Sequence, residues 1–247
     1  MTSERVAIVT GAASGIGRAS VRRLGLEGVR VAAVDLDPDG AASALGEAAA
    51  EGFAARCDVT DEASVAAAVF STVERFGRLD VLIACAGHPG PVAPLADVTE
   101  SDWDIVFDVN VKGVWLSCKH AIRAMRPRGG AIAVMASDSS FVAAPGIGAY
   151  CASKGAVLML VRSLATDYGS EGIRTNCVAP SIVDTPMPRL TLGAGDRPLS
   201  EFGVAEWHTA DEIAGHLVYL CSDAARGLNG SALVADFGGM ARSTFPV

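Results

Sequence analysis

Arg5-Val6-Ala7-Ile8-Val9-Thr10-Gly11-Ala12-Ala13-Ser14-Gly15-Ile16-Gly17 is the stretch whose reading decides the fold. Its first five residues form a short apolar run of strand type, a glycine turn follows, and Arg18 to Glu27 continue as a helix-like segment. Strand, glycine turn and helix in that order form the first half of a dinucleotide-binding unit. Gly11 permits the tight turn. Gly15 and Gly17 remove side chains where backbone must approach a pyrophosphate and where helix must pack on strand. The helix N-terminus, with Ser14 and Ile16 beside those glycines, then faces the phosphates with free N–H groups and a positive dipole end. The spacing is G-x-x-x-G-x-G rather than the commoner G-x-G-x-x-G, so the general fingerprint fits only approximately.

Working outward, a second strand from Val29 to Val34 ends in Asp35, followed by Leu36. A carboxylate at that strand end can accept both ribose hydroxyls of an adenosine and repel the extra phosphate of NADP, which points to NAD. Neither Leu36 nor Ser14 offers a compensating cation, and Arg18 is the only nearby basic residue. The alternative is that Asp35 merely caps the helix beginning near Pro38. Further strands are predicted to begin near Gly52, Leu79, Ala131, Arg174 and Leu233. Their intervals suit helical crossovers, so the chain reads as an α/β protein. It is a doubly wound parallel sheet of about seven strands with helices on both faces, forming one domain over residues 1–247.

Tyr150-Cys151-Ala152-Ser153-Lys154 lies in an apolar segment that reads as helix. A spacing of four puts tyrosine and lysine on one face, one turn apart. A neighbouring cation favours the phenolate, so the tyrosine pKa is expected to fall from ~10 and Tyr150 becomes a candidate proton donor and acceptor. Such pairs are also common on solvated helices, so the pair gains meaning only from its context.

Together the glycine turn and the Tyr150–Lys154 pair resemble the short-chain dehydrogenase/reductase family, over nearly the whole chain. The resemblance implies a catalytic serine at the strand end before the Tyr-Lys helix, matched by Ser137 after Ala131-Ile132-Ala133-Val134-Met135-Ala136, with Ser139 and Ser140 as rivals. It implies a helix asparagine, Asn110, positioning a water that links Lys154 to solvent. Asp58-Val59 matches the adenine-contacting pair, and Pro180-Ser181-Ile182-Val183-Asp184-Thr185 the nicotinamide segment, with Val183 backbone and the Thr185 hydroxyl as contacts. Lys154 would also bind the nicotinamide ribose, beside Tyr150. Ala84-Cys85-Ala86-Gly87 departs from the family's Asn-Asn-Ala-Gly but keeps the Ala86-Gly87 backbone, and Ser181 stands where glycine is usual. The implied activity is hydride transfer between NAD(H) and a secondary alcohol or ketone. The alternatives are an NADP-type reductase of acyl-thioester or polyketide-like ketones and a non-catalytic NAD-binding protein on the same fold.

A chain of 247 residues, half of them hydrophobic, can bury a large core. No apolar stretch is long enough to span a bilayer, and the first strand follows Met1 too closely for a signal peptide. A net charge of −8 gives no basic footprint for nucleic acid or anionic membrane. Cys57, Cys85, Cys118, Cys151, Cys177 and Cys221 lack metal-ligand spacing and read as reduced residues of a cytoplasmic protein, with Cys151 the one candidate reactive thiol. Residues 185–209, rich in Pro and Gly, suit a substrate loop in which Arg189, Arg197 and Glu201 are specificity residues or solvated surface. His88, Pro89, Asp138, Ala144, Pro145, Ile147 and Met187 are candidate pocket residues. Surplus apolar surface over Val106–Ala121 and Gly155–Leu164, with Phe237, Met240 and Phe245 near the C-terminus, points to a homotetramer.

Overall fold

The computed structural model describes residues 5–126 and 128–242. Seven strands form one parallel sheet: β1 (Val6–Thr10), β2 (Arg30–Asp35), β3 (Gly52–Arg56), β4 (Val81–Ala84), β5 (Gly130–Met135), β6 (Ile173–Pro180) and, last in the chain, β9 (Ala232–Ala235). Two short strands, β7 (Val183–Asp184) and β8 (His208–Thr209), pair parallel to each other outside it. The sheet order is β3-β2-β1-β4-β5-β6-β9, in which the direction of strand addition reverses between β1 and β4. That reversal leaves a crevice at the strand C-terminal ends, where doubly wound sheets bind their ligands.

Alternation along each strand divides the core into two. Ile8, Ala32, Val34, Leu82, Ile132 and Val134 point to one face, against α3 (Glu62–Phe76), α5 (Gly113–Met125) and α6 (Gly148–Tyr168). Their neighbours Val9, Val31, Ala33, Ile83 and Ala133 point to the other, against α1 (Gly15–Leu26), α2 (Pro38–Ala48) and α8 (Ala210–Cys221). A strand buried on both faces reads as a continuous apolar run, which is why these segments stood out in the sequence. The helices start where side chains can cap them. Asp37 accepts from Gly40 N–H ahead of α2, Asp61 from Ala63 and Ser64 ahead of α3, and Thr209 and Glu212 form a reciprocal capping box on α8.

Two further helices shape the crevice. α4 (Glu100–Phe107) runs into α5 through a π-helical turn at Asp108–Lys112, and α7 (Pro186–Thr191) follows β7. On the opposite side Arg174 donates to the carbonyls of Leu220, Ser222, Ala225 and Leu228, tying the end of α8 and the approach to β9 onto β6.

The glycine turn is the tightest contact in this framework. A Cβ on Gly17 would lie 2.0 Å from the Gly11 carbonyl oxygen, so α1 can dock on the β1 turn only without a side chain there. Gly11 itself has φ +68°, and a Cβ on it would meet Ala86 N at 2.8 Å. Gly46, exposed within α2, has open space around its missing Cβ. Gly17→Ala should therefore destabilise the protein by about 3 kcal/mol. Gly46→Ala should stabilise it by about 1 kcal/mol through helix propensity alone. Urea unfolding of both variants checks this, and equal effects would contradict the close-approach argument.

Candidate active site

A cleft of about 760 Å³ opens over the reversal point of the sheet. It is lined by the glycine turn, the ends of β2, β3, β4, β5 and β6, and α7. Of the residues singled out in the sequence, Gly11, Ser14, Gly15, Ile16, Gly17, Asp35, Leu36, Asp58, Val59, Ala86, Gly87, Ser137, Tyr150, Lys154, Pro180, Val183 and Thr185 all line it. Asn110 does not. It is fully buried behind the wall, while its neighbour Val109 faces the cleft.

At one end Asp35 is held by two backbone donors, Ala13 N–H at 3.0 Å and Asp37 N–H at 3.0 Å. Asp37, not Asp35, caps α2, so Asp35 ties the glycine turn to the end of β2. Arg18 reaches away, forming an ion pair with Glu47 and donating to Ser43 Oγ. The nearby Asp58 carboxylate accepts from the backbone and hydroxyl of Thr60, which hold its pKa below the ordinary value. Thr10 was not anticipated. Its buried hydroxyl accepts from the N–H groups of Cys85 at 3.2 Å and Ala86 at 3.3 Å, bracing the end of β4 against β1.

The two ends of the cleft approach each other at Gly15, where a Cβ would lie 3.2 Å from Thr185 Cγ2. Thr185 Oγ1 donates to Val183 O at 3.3 Å. Ser181 Oγ is buried without a hydrogen-bond partner. A backbone cradle that side chains would fill, free helix N–H groups and an orphaned hydroxyl at the far wall together fit an elongated polar ligand such as a dinucleotide.

Ser137, Tyr150 and Lys154 converge between those ends. Ser137 closes β5 and is 7% exposed; its hydroxyl donates to Asp138 Oδ1 at 2.9 Å and accepts from Ser139 N–H at 3.1 Å. Ser140 turns away to the Lys154 carbonyl at 2.8 Å, and Ser139 Oγ donates to Asp138, so Ser137 is the serine joined to the tyrosine. Lys154 is buried, donates from Nζ to Met135 O at 2.8 Å, and sits 5.5 Å from the centre of the Tyr150 ring.

The expected fall of the Tyr150 pKa is not what this geometry gives. Burial of the phenol pushes it up to about 12; the Ser137 hydrogen bond opposes that rise, and the charge of Asp138 adds to it. Burial likewise pulls Lys154 down to about 8, partly offset by Cys85 and Cys177. The Lys154 ammonium is directed at the Met135 carbonyl, and desolvation of the buried phenol outweighs the Ser137 hydrogen bond.

Asn110 is anchored through its side chain. Its Oδ1 accepts from His88 N–H at 2.7 Å, and its Nδ2 donates to His88 O at 2.9 Å and Ser153 Oγ at 3.0 Å. Both amide hydrogens are engaged, so the side chain clamps the loop after β4 to the turn of α6 carrying Lys154. The π-helical turn around it supplies the bulge that lets the side chain reach inward.

The 185–209 stretch is ordered by Arg189, which pairs with Asp184 and donates to the carbonyls of Gly195 and Arg197. Arg197 stacks on Phe202. Arg189 and Arg197 are thus structural, and Pro186, Met187, Pro188, Thr191 and Leu192 face the cleft instead. All six cysteines are unpaired, and burial pushes Cys85, Cys118 and Cys221 up to about 12, making poor nucleophiles of them.

Comparison with known proteins gives this architecture a family. Residues 11–240 match the family model described as enoyl-(acyl carrier protein) reductase. The chain is 40% identical to the D-threitol dehydrogenase of Mycolicibacterium smegmatis, over 95% of this chain and 92% of that one. It is 41% identical to the 2-(R)-hydroxypropyl-CoM dehydrogenase of Xanthobacter autotrophicus, over 94% and 97% respectively. Among solved structures it superimposes on levodione reductase with a TM-score of 0.92 at 33% identity, covering 98% of this chain and 100% of that chain. For carveol dehydrogenase of Mycobacterium avium in complex with NAD the TM-score is 0.90 at 28% identity, covering 98% and 99%. The chain belongs to the short-chain dehydrogenase/reductase family. It is thereby an oxidoreductase of CH–OH groups that uses a nicotinamide cofactor.

The displaced Lys154 pKa has a consequence for stability. Between about 8 and its unfolded value of 10.5, the unfolded chain keeps a proton that folded Lys154 has lost, so stability contributed through this group rises with pH. Lys154→Met abolishes the term, and the variant's stability relative to wild type should fall steadily across that window. Urea midpoints measured at intervals of pH check it; a difference independent of pH would contradict the burial of a titrating ammonium.

Proposed function

We propose that this protein is an NAD-dependent dehydrogenase of a secondary alcohol, working with the corresponding ketone in reverse. The observation that carries the reading is the convergence of Ser137, Tyr150 and Lys154 on one cleft whose other end presents Asp35. The relatives' names, D-threitol dehydrogenase and cis-4-hydroxycyclohexanecarboxylate dehydrogenase among them, support a hydroxyl-bearing substrate. The residues 1–247 act as one cofactor-binding domain, with 185–209 as the substrate loop.

Gly11, Ser14, Gly15, Ile16 and Gly17 would cradle the pyrophosphate through backbone N–H groups. Asp35 and Leu36 would hold the adenosine ribose, Asp58 and Val59 the adenine, and Ala86 and Gly87 would flank the path between. Pro180, Val183 and Thr185 would hold the nicotinamide, with Tyr150 and Lys154 on its ribose. A bound nicotinamide supplies the hydride acceptor. Asp35 supports NAD over NADP because its carboxylate is fixed by two N–H groups at the rim and Arg18 is committed to Glu47.

The proton work falls to the protein. Ser137 binds the substrate oxygen. With a pKa near 12 the Tyr150 phenol is protonated at neutral pH and stands ready to donate to a ketone oxygen. In the oxidative direction it must first lose that proton, so oxidation should rise with pH. Asn110 is a positioning residue that sets the α6 turn on which Lys154 sits. An acyl-thioester or polyketide-type reductase remains the second enzyme reading, and Asp35 counts against its usual NADP.

The exposed Trp103 and Trp115, with Ile105 and Met159, leave apolar surface on α4, α5 and α6. They support pairing through these helices into a homotetramer. Phe237 is also exposed, whereas Phe245 lies outside the described residues. Six unpaired cysteines support the cytoplasm as its compartment. No helix among the described residues is long and apolar enough to cross a membrane.

Cofactor titration followed by a screen of secondary alcohols tests the proposal. NAD should bind at least tenfold more tightly than NADP, and Asp35→Ala should narrow the gap by weakening NAD. Equal or tighter NADP binding by the wild type would overturn the assignment. Tyr150→Phe should lower turnover at least a thousandfold with NAD binding retained, and near-normal turnover would show that another group moves the proton.

A further inference from the structure

The cleft has a substrate end whose charge pattern is more specific than a generic alcohol site requires. Beyond Ser137 and Tyr150 its wall is made by Pro89 and Val92 after β4, Pro145 and Ile147 before α6, and Met187 and Leu192 at α7. These are apolar side chains. Among the described residues, four charged ones line the cleft: Asp35, Asp58, Asp138 and Lys154. The first two lie at the ends of β2 and β3, at the opposite end of the cleft, and Lys154 is buried with its Nζ on the Met135 carbonyl. Asp138 is therefore the charge that an incoming substrate meets.

The Asp138 carboxylate is half-buried and fixed on one side. Its Oδ1 accepts from Ser137 Oγ at 2.9 Å, Ser139 N–H at 2.6 Å and Ser139 Oγ at 3.3 Å. Among the described residues nothing donates to Oδ2. The short bonds to Oδ1 set the orientation of the carboxylate, and the second oxygen keeps its full accepting capacity beside the serine assigned to the reacting oxygen. Its field reaches the Tyr150 phenol.

We infer that Asp138 is a specificity residue that accepts a second hydrogen-bond donor, a hydroxyl or protonated amine, on the carbon next to the reacting carbinol of an apolar-bodied substrate. A donor there finds an oriented acceptor and, if cationic, an opposite charge in a poorly solvated wall. A carboxylate, sulfonate or phosphate at that position meets a like charge, with no free cation among the described residues of the substrate wall, and is rejected. The inference rests on the dehydrogenase reading of the cleft, and it assigns to Asp138 more than the turn it makes with Ser139.

Four ring-matched probes test it: cyclohexanol, cyclohexane-1,2-diol, 2-aminocyclohexanol and 2-hydroxycyclohexanecarboxylate, each as its mixture of stereoisomers. NADH formation gives kcat/KM for each, with NADP run in parallel. The wild type should favour the diol and the amino alcohol over the hydroxy acid by at least tenfold. Asp138→Asn should reduce the ratio of amino alcohol to hydroxy acid by at least tenfold, a readout unaffected by any general loss of activity through Ser137. A wild type that handles the hydroxy acid as well as the amino alcohol overturns the inference, and so does a ratio unchanged by the substitution. If no probe is turned over with either cofactor, the dehydrogenase reading fails separately. Calorimetric binding of the same probes then decides Asp138: the same charge ranking upholds its role, and charge-blind binding ends it.

Discussion

Everything in this molecule that faces the cleft depends on the backbone contact between the first turn of α1 and the turn after β1. Gly17 lies against the Gly11 carbonyl at a separation that a methyl group would close to 2.0 Å. That contact brings the N-terminus of α1 to the end of the sheet, where its free N–H groups face outward into the crevice. It also brings Ala13 N–H onto Asp35, so the end of β2 is held to the same turn. Gly15 in turn leaves room for Thr185, and the far wall of the cleft closes against the near one. A side chain at Gly17 would push α1 off the β1 turn, and one at Gly15 would crowd Thr185.

The second constraint is electrostatic. Tyr150 and Lys154 sit in a wall that is largely dry, and the consequences run against simple pairwise intuition. Burial raises the Tyr150 phenol to about 12 and lowers the Lys154 ammonium to about 8, moving the two pKa values apart. What keeps such groups in place is a hydrogen-bond network around them. Lys154 has the Met135 carbonyl, Ser153 links Asn110 to the Tyr150 carbonyl, and Asn110 holds both polar groups of the His88 backbone. Asn110 thus fixes α6 relative to β4 without touching the cleft.

Much of this was legible in the sequence, and for identifiable reasons. All seven strands of the sheet begin within two residues of their expected starts, because strands buried on both faces are short apolar runs between polar helices. The glycine turn, Asp35 and the Tyr150–Lys154 spacing are local patterns whose geometry follows from one helix or one strand end. The parts that were not legible depend on distant contacts. Thr10 takes over the bracing of Cys85 and Ala86 only because β1 and β4 are neighbours in the sheet. The sequence leaves Arg189 open between a specificity residue and solvated surface, and only the fold brings Asp184 and the carbonyls of Gly195 and Arg197 around it. The direction of the Tyr150 shift could not be read from its spacing to Lys154, since desolvation is set by the whole wall.

The account turns on where a dinucleotide lies in this cleft, and a crystal structure grown with NAD tests that most directly. The account predicts the adenosine ribose hydroxyls on the Asp35 carboxylate, the pyrophosphate against the N–H groups of Gly15 and Ile16, and the nicotinamide between Thr185 and Tyr150. An ordered NAD with its ribose away from Asp35, or with its nicotinamide remote from Tyr150, would contradict it.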